Sequence, residues 1–442
     1  MVGRRLSRPA RSGTSPETLG GTPVATAYPS DVTSPTVRTI TDDEFGDFIN
    51  VVLTSFLTAH ATPEQIEARR SVFDIARCLG AFDASGRLCG VARAFGTELT
   101  VPGGAVAAAA VSSVGVLPTH RRQGHLTRMM RSQLDDIAGR GEPVAALVAA
   151  EYPIYGRYGY GVAVEACELR IDARQDQWRD EPTGAVELVD NETFAKLVVD
   201  VYDRARLVTP GHLRYSPPWW EVFAGVHPWH DGDDDNRAKA TKVVWRDEHG
   251  EAQAATAYSV DGHWDHNRPA GTLSAGVLAA TSARAEIELV RFLTAVDWVT
   301  AVHVGLRPVD DPAPLALVDG RVGALVHRSD HVWVRVLDVP AALTARRYTT
   351  AGSVVLEVVD PLGYAAGRFA LEGGPDGATC VATDATPDLV VPVGALGAAY
   401  VGGTSWSRLA AAGWVDEAHD DAVATASAMF TSARAPWCSM TF

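Results

Sequence analysis

The run Pro118-Thr-His-Arg-Arg-Gln-Gly-His-Leu-Thr-Arg128 sets three basic side chains, Arg121, Arg122 and Arg128, around one glycine, Gly124. Before it lie the uncharged residues 105–117, and after it Leu126, Met129, Met130, Gln133 and Ile137 recur at helical spacing. A strand, a glycine-containing turn and a helix, in that order, leave the N–H groups of the first helical turn without intrahelical partners. The helix dipole adds positive potential at the same place. The arginines reinforce both, so the segment suits an anion such as a pyrophosphate. The simpler alternative is a basic, capped helix start on the surface.

The surrounding elements can be read from spacing. Asp42 to Thr58 predicts an amphipathic helix, with Phe45, Phe48, Ile49, Val52 and Phe56 three and four apart. Two strand-like runs flank the turn Asp83-Ala-Ser-Gly86, Pro102-Gly103-Gly104 is a second turn, and residues 105–117 read as a buried central strand. A helix to about Gly139 and a strand from Val144 to Ala150 follow, giving an α/β unit that ends near residue 175. Residues 186–325 repeat this grammar more loosely, with helices expected at Asn191–Arg206 and Ala283–Ala295. Strands are expected there at Lys242–Trp245, Ala254–Val260, Thr272–Leu278 and Val302–Leu306. The remainder reads as α+β, with strands at Val332–Val336, Val354–Val359 and Cys380–Thr383 and helices near Val393–Ala399 and Ser405–Ala412.

Bulk properties narrow the class. A chain of 442 residues exceeds what one core usually supports, so two or three domains are expected. The formal net charge is -15 and the lysines are Lys196, Lys239 and Lys242 alone, which gives no basic face for nucleic acid. Cys78, Cys89, Cys167, Cys380 and Cys438 form no Cys-x-x-Cys pair, and a reducing, cytoplasmic compartment fits them best. No apolar run approaches a membrane span. Residues 1–35, rich in Arg, Ser, Thr, Pro and Gly, read as a flexible tail. The scattered histidines have no ligand spacing, Asp231-Gly-Asp-Asp-Asp235 lacks the length and closing Glu of a calcium loop, and no metal is assigned.

Strand, then Pro-x-x-Arg-Arg-x-Gly, then helix resembles the acetyl-CoA motif of the GNAT acetyltransferases, Arg/Gln-x-x-Gly-x-Gly/Ala. Arg121 and Gly124 match, while Leu126 stands at the last position. About thirty residues on, Tyr155-Gly-Arg-Tyr-Gly159-Tyr160 matches the superfamily's Tyr-x-x-x-Gly-Phe element with Tyr for Phe. Within that superfamily the chain is most similar to the Eis acetyltransferases, through Val111-Ser-Ser-Val-Gly-Val116, Leu99-Thr-Val-Pro-Gly103, Ile154 to Gly161 and the closing Phe442. The likeness covers residues 36–442. It implies an N-terminal GNAT domain over 36–180 and a degenerate GNAT-like domain over 181–328. A sterol-carrier-protein-like domain over 329–442 completes this mixed α/β and α+β layout. It also implies a homohexamer that acetylates amines of aminoglycosides or lysines of peptides and proteins.

Residue by residue, the resemblance implies that Val114, Gly115 and Val116 run beside the pantetheine arm. Arg121, Arg122, Gln123, Gly124, His125, Leu126 and Thr127 hold the pyrophosphate, and Ala150 and Glu151 line the thioester end. Tyr155 takes the place of the general acid and the terminal carboxylate of Phe442 that of the general base. Two positions depart from the family: Ser55-Phe56 is followed by Leu57, Thr58 and Ala59, and the penultimate residue is Thr441. Acidic residues at those places would add negative charge to a pocket for cationic acceptors.

The implied chemistry is direct acetyl transfer in a ternary complex to an amine that has lost its proton. A phenol near ~10 would protonate a thiolate near ~8.5 uphill by roughly 2 kcal/mol in water. A packing role for Tyr155 beside Tyr158 and Tyr160 is the plainer alternative, as is a frayed end for Phe442. Against fraying stands the apolar run Trp437-Cys-Ser-Met-Thr-Phe442. Peptide or protein lysine acetylation, and a non-catalytic module binding CoA or lipid, are the competing functions.

Overall fold

The structure, a computed structural model, describes residues 36–229 and 234–442. The tail over 1–35 and Asp231 to Asp233 of the acidic run lie outside the described residues.

Turn chemistry organises the first half. β1 (Thr36–Thr39), β2 (Cys78–Phe82), β3 (Leu88–Val101) and β4 (Gly104–Val116) form an antiparallel ladder. β2 and β3 meet at a turn in which the Asp83 carboxylate accepts the N–H groups of Ser85 and Arg87 at 2.8 and 3.0 Å. α1 (Phe45–Ser55) buries Phe45, Phe48, Ile49, Val51 and Leu53 in a cluster shared with Phe82 and Val91. α2 (Pro63–Arg69) starts on a capping box of Thr62 and Gln65. α3 (His125–Gly139) crosses from β4 to β5 (Val144–Val148), which returns parallel to it. α4 (Tyr152–Tyr155) and β6 (Gly161–Asp172) complete this half.

The second half repeats the pattern. β7 (Ala185–Val189) is followed by α5 (Asn191–Arg206), α6 (Pro217–Ala224) and α7 (Asp234–Lys239). β8 (Thr241–Arg246), β9 (Ala252–Asp261) and a small hairpin of β10 (Trp264–Asp265) with β11 (Arg268–Pro269) come next. β12 (Gly271–Ala280), α8 (Ala283–Thr294) and β13 (Val299–Arg307) then form a second strand–helix–strand unit with parallel strands.

One long strand, β14 (Gly323–Val336), joins the halves. The sheet runs β1-β2-β3-β4-β5-β14-β6-β13-β12-β9-β8-β7, twelve strands in all. Val332–Val336, read from the sequence as an early strand of the C-terminal region, is the end of β14. It pairs with Val144–Val148 of β5 on one side, and β14 pairs with β6 on the other. Every residue from His331 to Val336 is buried, as an interior strand requires.

The C-terminal part carries its own five-stranded sheet, built from Gly352–Val359, Gly367–Gly374, Gly377–Ala382, Leu389–Pro392 and Asp416–Glu417. Its helix Val393–Ala399 packs on β6 and β14 through glycines. Added Cβ atoms at Gly161 and Gly397 would strike the carbonyls of Gly394 and Val334, so backbone meets backbone there. The last residues then thread inward. The Trp437 N–H donates to the Pro210 carbonyl at 2.8 Å, and His331 Nε2 donates to the Met440 carbonyl at 3.0 Å. Trp437 to Met440 are buried, Thr441 is exposed and Phe442 is partly buried.

Candidate active site

The basic turn has the form its residues predict. Pro118 opens a 3-10 turn, Arg122 takes φ +62° and Gly124 φ +80°, and α3 begins at His125 with no side-chain cap. The N–H groups of His125, Leu126 and Thr127 therefore lie at an open helix start, with the dipole's positive end. Arg128 braces the turn from inside, its Nη2 donating to the Gln123 carbonyl at 2.9 Å. Arg121 Nε donates to the Val116 carbonyl at 3.4 Å, and Arg121, Arg122 and Gln123 are exposed. The His125 ring is buried 3.7 Å from the Cys89 sulfur, and burial lowers its pKa. What His125 can offer an anion is thus its backbone. Thr127 Oγ1 shares a 3.2 Å hydrogen bond with the Tyr158 hydroxyl, tying α3 to the segment after α4.

Next to the turn the two parallel strands part. Their register runs from Ala108↔Val144 to Val111↔Leu147 and stops there. At Ser113, with φ +54°, β4 deviates, and its register with β3 shifts between Val91 and Arg93. Val114, Gly115 and Val116 consequently have β3 on one side and no β5 partner on the other. Gly115 is fixed by contact, because an added Cβ would stand 2.6 Å from that of Ser55 at the end of α1.

A cavity of about 510 Å³ opens at this divergence. Val114 and Ala150 line it together with Tyr155, Thr441 and Phe442, so residues from both ends of the chain share one space. Glu151 is exposed beside it. Tyr155 is 8% exposed, and its ring stands edge-on to Tyr160 at 6.1 Å. Among the described residues nothing hydrogen-bonds its hydroxyl. Burial above all, and then the charges of Glu151 and Tyr158, push its pKa up to about 12.

The far wall was not legible as a motif. Phe73 follows α2, Trp219 and Phe223 lie on α6, and Trp229 stands just beyond it. Phe73 and Trp229 stack with centroids 6.0 Å apart, and Trp219 meets Trp229 at 5.0 Å. Arg69, Arg93 and Arg237 also line the cavity, and no Asp or Glu side chain does among the described residues. A signal for Arg93 existed in retrospect: it is the one charge in the apolar run Leu88–Phe95.

Comparison with known proteins identifies the domains. Acetyltransferase (GNAT) domain families match residues 36–163 and 211–346, and a sterol carrier protein domain family matches 339–439. A protein named "Uncharacterized N-acetyltransferase" from Streptomyces avermitilis is 40% identical over 415 residues, 91% of this chain and 97% of that one. "N-acetyltransferase Eis" from Mycobacterium tuberculosis is 34% identical over 386 residues, 84% of this chain and 90% of that one. The crystal structure of Eis1 from Mycobacterium abscessus superposes with a TM-score of 0.80 at 35% identity, covering 92% of this chain and all of that one. Two GNAT domains followed by a sterol-carrier-protein-like domain are thus shown. The chain belongs to the Eis family of GNAT N-acetyltransferases.

Proposed function

We propose that this N-acetyltransferase carries acetyl from acetyl-CoA directly to the amine of a small acceptor, inside the cavity that Tyr155 and Phe442 share. The observation that carries the reading is the alignment of three features. An open helix start sits at Gly124, an unpaired strand edge at Val114–Val116, and a cavity where β4 and β5 part. An elongated thioester with a phosphorylated end fits that line. Arg121 to Thr127 would take its pyrophosphate, Val114–Val116 its amide-bearing arm, and Ala150 and Glu151 would flank its reactive end. When bound, acetyl-CoA supplies an activated acetyl group.

The chain's own residues would then manage protons. The Phe442 carboxylate accepts the proton of the entering amine, directly or through water. Tyr155 faces the departing sulfur. With its pKa near 12 against ~8.5 for a thiol, full proton donation would be uphill by about 5 kcal/mol. Tyr155 therefore works mainly by donating a hydrogen bond, which needs no titration.

The divisions 36–180, 181–328 and 329–442, the last two meeting within β14, a homohexameric assembly and a cytoplasmic location complete the proposal. A polycationic aminoglycoside is the acceptor the family resemblance suggests, yet the described cavity wall offers it no carboxylate side chain. Lysine acetylation on a peptide remains the second reading, favoured by the exposed Phe56, 50% accessible at the cavity's edge. A panel of amines incubated with acetyl-CoA, followed by released thiol and product mass, tests the transfer. Thiol release without any acetylated amine would contradict it.

A further inference from the structure

Arg93 projects from β3 into the cavity wall and is 1% exposed. Its guanidinium carbon lies 3.9 Å from the centroid of Phe73, 5.1 Å from that of Phe95 and 5.4 Å from that of Trp219. Nη2 donates to the Val72 carbonyl at 3.0 Å, and Nε has no acceptor. Among the described residues no carboxylate pairs with it. Burial pushes its pKa down to about 10, so the group still carries its charge at neutral pH.

A buried cation without an anion is costly, and cation–π contacts offset part of that cost. Other buried arginines are more fully partnered. Arg307 pairs with Asp311 and Glu286, and Arg335 pairs with Asp360 at 2.6 Å. Arg346, also without a carboxylate and set against Tyr348 and Phe430, donates to the carbonyls of Arg347, Tyr400 and Phe430, whereas Arg93 has the Val72 carbonyl alone and borders a cavity. An arriving carboxylate would satisfy the free N–H groups in a charge-assisted hydrogen bond. Beside it, Phe73, Trp219 and Trp229 line the cavity as an apolar wall against which a flat apolar body can lie.

We propose that Arg93 and this aromatic wall anchor the acceptor, and that the acceptor is an amine that also bears a carboxylate and a flat apolar group, an aromatic amino acid being the simplest of the class. This rests on the cavity being the transfer site. The carboxylate binds Arg93, the ring lies along the Phe73–Trp229 wall, and the amine points to the thioester end. Arg93 is here a binding and positioning residue, so its loss should raise KM and leave kcat nearly unchanged.

The test compares phenylalanine, phenylalaninamide and 2-phenylethylamine, which differ only at the carboxylate, with kanamycin as the polycation. Binding to the full chain is measured by calorimetry, and transfer by thiol release. Phenylalanine should bind at least tenfold tighter than its two analogues. Arg93→Met should erase that preference, and Arg93→Lys should keep part of it. Should Arg93→Met fail to fold, the wild-type ligand series and Arg93→Lys still decide. Equal or tighter binding of 2-phenylethylamine or kanamycin by the wild type would overturn the anchor, as would an Arg93→Met loss equal for all ligands. The two readings separate cleanly. A carboxylate preference in binding with no acetylated product contradicts the transferase site alone, and unselective acetylation contradicts the anchor alone.

Discussion

The ring of Phe442 stands edge-on to that of Phe95, with centroids 6.2 Å apart and planes at 88°. Phe95 belongs to β3 of the first GNAT domain, and Phe442 is the last residue of the sequence. The C-terminal part thus reaches the first domain's cleft. It does so because Trp437 to Met440 are buried and bonded to Pro210, Leu306 and His331 on the way.

Gly124 sits at φ +80°, a conformation that costs other residues roughly 1–2 kcal/mol. Gly124→Glu adds that strain and a negative charge at the helix start. Coenzyme affinity measured by calorimetry should fall at least about tenfold, a loss of ~1.4 kcal/mol. Unchanged affinity would remove the turn from the coenzyme site.

Tyr155→Phe keeps the ring in its contact with Tyr160 and removes the hydroxyl. A kcat loss on the order of 10²–10⁴ is expected with coenzyme binding intact. Since the phenol is held near 12, it stays protonated through pH 10, and the wild-type kcat profile should show no falling limb from it below that. A variant of full activity would leave Tyr155 a packing residue.

His212 holds the tail's Trp437 ring at 5.2 Å and lies 3.1 Å from the Tyr202 hydroxyl. Burial first, then the positive charges of His331, Arg206 and Arg434, lower its pKa to about 3. An unfolded imidazole titrates near ~6.5, so the folded state binds this proton less well than the unfolded one. The stabilisation is complete above about pH 6.5 and is lost as pH falls towards 3. Melting temperature should therefore drop on acidification through this window, and less steeply in His212→Asn. An identical slope in both proteins would show that other groups set it.

Much of this arrangement was written locally. The helix expected at Asn191–Arg206 has those bounds, and that expected at Ala283–Ala295 ends one residue earlier, because caps and apolar spacing lie within each segment. The turn at Gly124 was legible for the same reason. The insertion of β14 between β5 and β6 was not, since an apolar run does not name its partner strands. The aromatic wall was equally hidden, because Phe73, Trp219 and Trp229 come from separate segments and share no motif. Arg93 gained its meaning only once its neighbours proved aromatic rather than acidic.

Transfer is proposed to happen in the cavity that Tyr155 and Phe442 both line. Extending the chain by a few residues after Phe442 displaces its carboxylate while leaving the buried anchor, Trp437 to Met440, in place. A kcat loss of about a hundredfold or more is expected, with coenzyme affinity and melting temperature nearly unchanged, and a far milder effect of Phe442→Leu. Normal turnover by the extended chain would contradict it.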